Sequence, residues 1–156
     1  DGSKYFVSCW NSNEVRVYDG VTDALLDIIP VGNSPGIMAL SSGQGRLFVS
    51  CMNDTSTFAA TQGQRGAVNV VNVQTHQRIK SIYTGFQPYG ISLDEATGYA
   101  VVANRNTDPS GPTQHHPSLC AGRNGNITLI DLNSLNLVSG FKSEVSIDPI
   151  SVSVKN

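Results

Sequence analysis

The stretch Tyr5-Phe6-Val7-Ser8-Cys9-Trp10-Asn11 returns as Leu47-Phe48-Val49-Ser50-Cys51-Met52-Asn53, and more loosely as Ala100-Val101-Val102-Ala103-Asn104-Arg105-Asn106. A chain that repeats itself folds as copies of one unit, each too small to bury its apolar face alone, so the copies must stack. That single feature removes most architectures from consideration.

Each copy leads into the same series of short apolar runs. Residues 14–19 (Glu-Val-Arg-Val-Tyr-Asp) are matched by 67–72 (Ala-Val-Asn-Val-Val-Asn) and 126–131 (Asn-Ile-Thr-Leu-Ile-Asp). Val15/Val17, Val68/Val70 and Ile127/Leu129 each frame one polar residue, the period of two that marks a strand. A turn follows, in which Asp19, Asn72 or Asp131 precedes Thr22, Thr75 or Ser134 by three positions. Short side-chain oxygens at such places bond nearby backbone N–H groups and reverse the chain. A third strand is expected over 25–29, 78–83 and 137–141. A proline turn comes next, at Pro35, Pro88 or Pro149, and then a fourth strand over 37–40, 90–93 and 151–154. One face of that strand carries Met38/Leu40, Ile91/Leu93 and Val152/Val154. The other is kept small by Ala39, Ser92 and Ser153, which suits strands crowded toward a common axis.

The link between the first two strands is short in the first unit and long in the others, where it spans 54–67 and 107–126. With the extra link residues removed, the period is 42 residues, the same as the direct distance from Tyr5 to Leu47. Four strands in such a period match a β-propeller blade of about 40–50 residues, and no helical periodicity competes. The expected fold is therefore all-β: one partial β-propeller domain over 1–156, in units of about 1–41, 42–93 and 94–156. Three blades do not close a ring, which typically takes about 4–8. The remaining blades are expected from the same chain or from another one.

The units resemble the YVTN β-propeller repeat. The residues that carry the likeness are Phe6-Val7-Ser8-Cys9, Val15 to Asp19, Thr22, and the Ile29-Pro30-Val31-Gly32…Pro35-Gly36-Ile37 segment. In the second unit they are Phe48-Val49-Ser50-Cys51, Asn72, Thr75 and Pro88-Tyr89-Gly90-Ile91. In the third they are Val101-Val102-Ala103-Asn104, Asp131, Ser134 and Pro149-Ile150-Ser151-Val152. The Cys in two units and the long links depart from the pattern. The resemblance implies an extracytoplasmic location, in the periplasm or at the cell surface. It does not select a function, because similar repeats occur in surface-layer proteins, periplasmic binding proteins and redox-enzyme subunits.

Strands that alternate in direction alternate the ends of their connections, so both long links fall at the same end as the proline turns. Loops on a rigid ring are where function is usually carried. The 107–126 link holds His115, His116 and Cys120, ligand types suited to copper or zinc. Adjacent His side chains often diverge and a fourth ligand is missing there, so a proline-stiffened surface loop is the competing reading. His76 falls at the opposite end by the same alternation. Phe58 and Arg65 in the first link, and Arg123 in the second, are candidates for contact with a partner. Trp10, at the end of its strand, packs between blades or serves as a stacking platform at the ring face.

The remaining signals are exclusions. A net charge of -2 gives no electrostatic reason to expect nucleic acid. No run approaches the ~18 apolar residues of a membrane span. Cys9, Cys51 and Cys120 form no CxxC, haem-attachment or zinc-ribbon spacing and read as buried thiols. No nucleophile elbow is present, and Asp94-Glu95 reads as turn residues rather than an acid–base pair. The residues thus favour a non-catalytic scaffold that holds a protein or envelope partner on its loop-bearing face, with no cofactor. The alternative is a subunit of a redox enzyme or metal-binding protein that uses the 107–126 loop. A lyase or lactonase of the propeller type is a third.

Overall fold

In the computed structural model, residues 2–54, 66–107 and 124–155 are described, and within them the period-two runs form twelve strands and no helix. The first sheet holds β1 (Lys4–Cys9), β2 (Glu14–Asp19) and β3 (Leu25–Pro30). The second holds β4 (Pro35–Ser41), β5 (Arg46–Cys51), β6 (Ala67–Asn72) and β7 (Gln77–Tyr83). The third holds β8 (Pro88–Asp94), β9 (Tyr99–Asn104) and β10 (Asn124–Asp131), with β11 (Asn136–Leu137) and β12 (Ser143–Ile147) both on the outer side of β10. Every pairing is antiparallel, and within each sheet neighbours in sequence pair with one another, except that β12 pairs with β10 rather than β11.

The repeated motif occupies the same place each time. Phe6↔Val17 in β1–β2, Phe48↔Val70 in β5–β6 and Val101↔Leu129 in β9–β10 are equivalent pairs. Side-chain oxygens close the turns as expected: Asp19 Oδ1 accepts from the N–H groups of Val21 and Thr22, Asn72 Oδ1 from Gln74 and Thr75, and Asp131 Oδ1 from Asn133 and Ser134. Asp94 does the same with Ala96 and Thr97, so Asp94 is a turn residue. The repeat extends to backbone strain. Ser34, Gln87 and Asp148, each just before a proline, have φ of 56°, 57° and 52°. Asp23, His76 and Leu135, at the matching turn position, have φ of 58°, 54° and 54°.

The strands after Pro35 and Pro88 pair forward rather than back. Met38 of β4 lies opposite Val49 and Leu40 opposite Leu47, and Ile91 of β8 lies opposite Val102. The sheets are therefore offset by one strand from the sequence units of about 42–93 and 94–156. The reason is the turn: the chain leaves the outer edge of one sheet and enters the inner edge of the next. A ladder shift follows both Pro35 and Pro88, which have no N–H to donate. The inner strands lie side by side, with β4 between β1 and β8.

Two expected strands differ from the structure. The run 137–141 forms a strand only at Asn136–Leu137, with one further bond from Val138 N to the Leu129 carbonyl (2.9 Å); a turn through Gly140 (φ 75°) then interrupts it, and pairing with β10 resumes in β12. Residues 151–154 form no ladder. They lie against β8, where Val154 N donates to Ser92 Oγ (3.3 Å) and a Cβ on Gly90 would sit 2.9 Å from Ser151 Cα. The small inner face of β8 admits this approach. β4 and β8 owe their ladders to β5 and β9, and residues 151–154 have no such partner among the described residues.

Two cores fill the spaces between sheets. Val15, Val17, Ile29 and Val31 pack on Leu47, Val49, Cys51 and Val71 between the first and second sheets. Phe48, Val68, Val70 and Ile82 pack on Ile91, Ala100, Val102, Ile130 and Leu132 between the second and third. Successive side chains of a strand point to opposite faces, so the two central strands of the middle sheet, β5 and β6, are buried on both sides: Val70 enters one core and Val71 the other. The same motif in β1 is half open, with Tyr5 and Val7 each 40% exposed, because no described sheet covers that face. Cys9 and Cys51 follow suit. Their thiols make the same weak contact with the carbonyl two residues back, yet Cys51 is buried and Cys9 is not.

Candidate functional site

The links and proline turns share one end of the molecule, as strand alternation requires. Met52 and Asn53, entering the first long link, donate their N–H groups to Ser34 and Asn33 carbonyls (3.1 and 3.2 Å). Arg105 and Asn106, entering the second, donate to Gln87 and Phe86 carbonyls (3.0 and 3.2 Å). Thr107 is fixed again by its N–H and hydroxyl, both donating to Gln87 Oε1. The loops therefore rise from rigid roots.

A line of aromatic and charged side chains runs across this face. Trp10 follows β1, and its ring meets Tyr89 of β8 edge-on, with centroids 6.4 Å apart at 66°. The Arg105 guanidinium lies 5.4 Å from the Tyr89 ring centre, within cation–π range. Arg105 in turn grips Asp148 in a fork, Nε to Oδ1 at 2.5 Å and Nη2 to Oδ2 at 3.1 Å. That hydrogen-bonded fork holds the Asp148 carboxyl below its ordinary range and raises the guanidinium. Gly36 makes the arrangement possible, because a Cβ there would come within 3.0 Å of the Tyr89 ring. Ser8 Oγ donates to the Gly36 carbonyl (2.8 Å), and Asn13 Oδ1 accepts from Ser34 N (2.9 Å), so the end of β1 is tied to the first proline turn. Trp10 stays 42% exposed. It is therefore neither wholly inter-sheet packing nor a free side chain, but a ring held at an angle with one side open to solvent.

The line draws on two repeat positions. Trp10 and Arg105 stand where the middle unit has Met52, which is 5% exposed; Tyr89 stands where the first unit has Gly36. Trp10 was legible as a platform candidate. Tyr89, Arg105 and Asp148 were not, although superposing the repeats puts Arg105 at the Trp10 position and gives the signal.

At Asp54, where the first link begins, lies a buried polar knot. Asn69 Oδ1 accepts from Gly32 N (2.8 Å) and from Arg78 Nη1 (3.2 Å), while Asn69 Nδ2 donates to Asp54 Oδ2 (3.1 Å). Asn69 and Asp54 are fully buried. Beside them the Cys51 thiol is pushed up to about 12 by burial first and the Asp54 charge second, so it is a core thiol and not a reactive one. This knot bolts the first connection between sheets to the face of the second sheet. No spacing in the sequence announces it.

His115, His116, Cys120, Phe58, Arg65 and Arg123 lie outside the described residues. Among the described residues, no group of three His, Cys, Asp or Glu side chains is placed to hold a metal ion. Nor is any helix there long and apolar enough to cross a membrane. His76 sits at the end opposite the loops, bonded to Asp27 and Lys4.

No family model and no curated protein matches this sequence. Solved structures do. Kuenenia stuttgartiensis hydrazine synthase superposes with a TM-score of 0.69 at 19% identity, over 94% of this chain and 35% of that one. The dihydro-heme d1 dehydrogenase NirN, solved in complex with DHE, gives 0.60 at 11% identity, over 93% and 28%. The Neurospora crassa Pan2 WD40 domain gives 0.57 at 14%, over 97% and 39%. All three are β-propellers. The fold is a β-propeller's, with an unclosed ring. This chain spans between 28% and 39% of the length of those propellers. They include enzymes and a WD40 domain, so at these identities the likeness carries the fold and no activity.

Proposed function

We propose that this partial propeller is a non-catalytic binding scaffold that holds a protein partner of the cell envelope against its loop-bearing face. The location outside the cytoplasm rests on the resemblance to YVTN repeats, and so does that repeat type itself. The remaining blades come from the same or another chain. One observation carries the reading: the Trp10–Tyr89–Arg105 line, fixed by the Asp148 fork and open to solvent at Trp10. Trp, Tyr and Arg are the side chains that dominate protein interfaces, and they do so when pre-positioned, because little rotamer freedom is then lost on binding. The roots of the two long links, pinned at Met52 and Arg105, lie at the same end as this patch.

The test is affinity capture from envelope extracts, followed by titration of the purified captured protein. Trp10→Ala should weaken that purified interaction about 30-fold, the equivalent of about 2 kcal/mol at a hot spot. The melting temperature should move little, since Trp10 is half open. Leu26→Ala, on the outer strand β3, should leave binding unchanged. Equal binding by the wild type and the Trp10 variant, or an equal loss from Leu26→Ala, would refute the assignment.

A further inference from the structure

At the other end of the molecule, between the first and second sheets, lies a cavity of about 300 Å³. Its walls come from the start of β1, the end of β4 and the turn after β6. Phe6, Leu40 and Val73 make one side apolar; Gln74 and Lys4 contribute polar ends, and among the described residues Lys4 is the only charged one lining it.

Lys4 is held in place by two further residues. Its Nζ lies 3.0 Å from His76 Nε2, and His76 Nδ1 lies 2.9 Å from Asp27 Oδ2. An ammonium can only donate, so Nε2 must accept and the ring proton must sit on Nδ1, donated to the carboxylate. Asp27 is itself kept ionised, first by the Ile28 N–H and then by His76. The Phe6 ring stands edge-on to the imidazole, centroids 6.5 Å apart at 85°. The neutral imidazole thus fixes one Lys4 N–H and separates the ammonium from the Asp27 charge. Among the described residues, the other two Lys4 N–H groups have no partner.

We propose that this cavity binds a small amphipathic carboxylate, its anionic head on Lys4 and its tail against Phe6, Leu40 and Val73. Among the described lining residues there is one positive charge and no carboxylate, which selects an anion over a cation or a zwitterion. The apolar wall selects an alkyl or aryl carboxylate over a bare inorganic anion. At about 30 Å³ per water-sized group, the volume holds about ten heavy atoms, at the lower end of ligand pockets. The site lies at the end opposite the Trp10 platform and is independent of it.

Hexanoate is a suitable probe, with hexanamide as its uncharged counterpart, titrated into the isotopically labelled chain and followed by NMR. The expected result is saturable, millimolar binding of hexanoate with shifts at Lys4, Phe6, Val73 and Gln74. Hexanamide and the Lys4→Met variant should each bind at least 10-fold more weakly. Leu40→Trp, at a side chain already 53% exposed, should block the cavity without unfolding the chain and abolish the shifts. No saturation by about 50 mM, a limit weaker than roughly −2 kcal/mol of binding, would overturn the proposal. So would equal binding of hexanamide, or hexanoate shifts that survive both substitutions.

Discussion

Replacing Asn69 by leucine tests how the first two sheets are joined. Leucine has the same number of side-chain heavy atoms as asparagine, branched at the same carbon, so the change removes hydrogen bonds and leaves no cavity. Three bonds disappear: to Gly32 N, Arg78 Nη1 and Asp54 Oδ2. The buried Gly32 N–H loses its acceptor, a loss of about 1–3 kcal/mol. The bonds to the Arg78 and Asp54 charges are worth about 1.5–3 kcal/mol each, but they belong to one network and do not add in full. The expected destabilisation is therefore about 3–5 kcal/mol, a large share of the roughly 5–15 kcal/mol that holds a typical domain together. Urea unfolding, followed by the fluorescence of Trp10, would read it as a lower midpoint at unchanged slope. As a comparison, Asn72→Ala removes only exposed turn bonds to Gln74 and Thr75 and should cost about 0.5–1.5 kcal/mol. An Asn69→Leu protein within about 1 kcal/mol of wild type would refute the reasoning, since the orphaned Gly32 N–H alone accounts for that much.

Three other outcomes are expected. In a Cys120→Ser background, a thiol reagent at neutral pH should label Cys9 and leave Cys51 untouched until denaturant is added, because burial pushes Cys51 up to about 12; native-state labelling of Cys51 would contradict the packing. The carboxyls of Asp19, Asp94 and Asp131 are held below their ordinary range by turn hydrogen bonds, so their contribution is present above about pH 4 and is lost as pH falls through the lowered values. A triple Asp→Asn variant, copying the natural Asn72 turn, should show a flatter decline in melting temperature between about pH 5 and pH 2 than wild type; parallel curves would refute the linkage. Ser34→Gly should raise stability by up to about 1 kcal/mol in the same urea assay, since Ser34 holds a left-handed φ of 56° that glycine adopts without strain. A destabilised glycine variant would show that the turn is not strained.

The sequence made the strands and turns legible because their chemistry is local. Alternation at Val15/Val17 or Val68/Val70 needs only neighbours along the chain, and so does an Asp or Asn oxygen capping its own turn. The interrupted strand over 137–141 was misread for a local reason as well: Gly140 sits inside an apolar run, and its positive φ is a choice the composition permits but does not demand. The site was less legible. The Trp10–Tyr89–Arg105–Asp148 line joins the first sheet to the third, and the Asn69 knot joins positions 37 and 15 residues apart. Such contacts depend on how sheets lie against one another, which residue spacing does not encode.

What the sequence determined by itself is the unit and its number of copies, since a 42-residue period of short alternating runs has one economical solution, a four-stranded meander repeated around an axis. The tertiary structure alone decided what each copy does. The motif Phe-Val-Ser-Cys is half open in β1 and sealed in β5, and only the presence of a sheet on either side makes the difference. Pairing forward across Pro35 and Pro88, rather than back, was likewise settled by geometry: a strand completes its ladder with whichever edge the turn delivers it to.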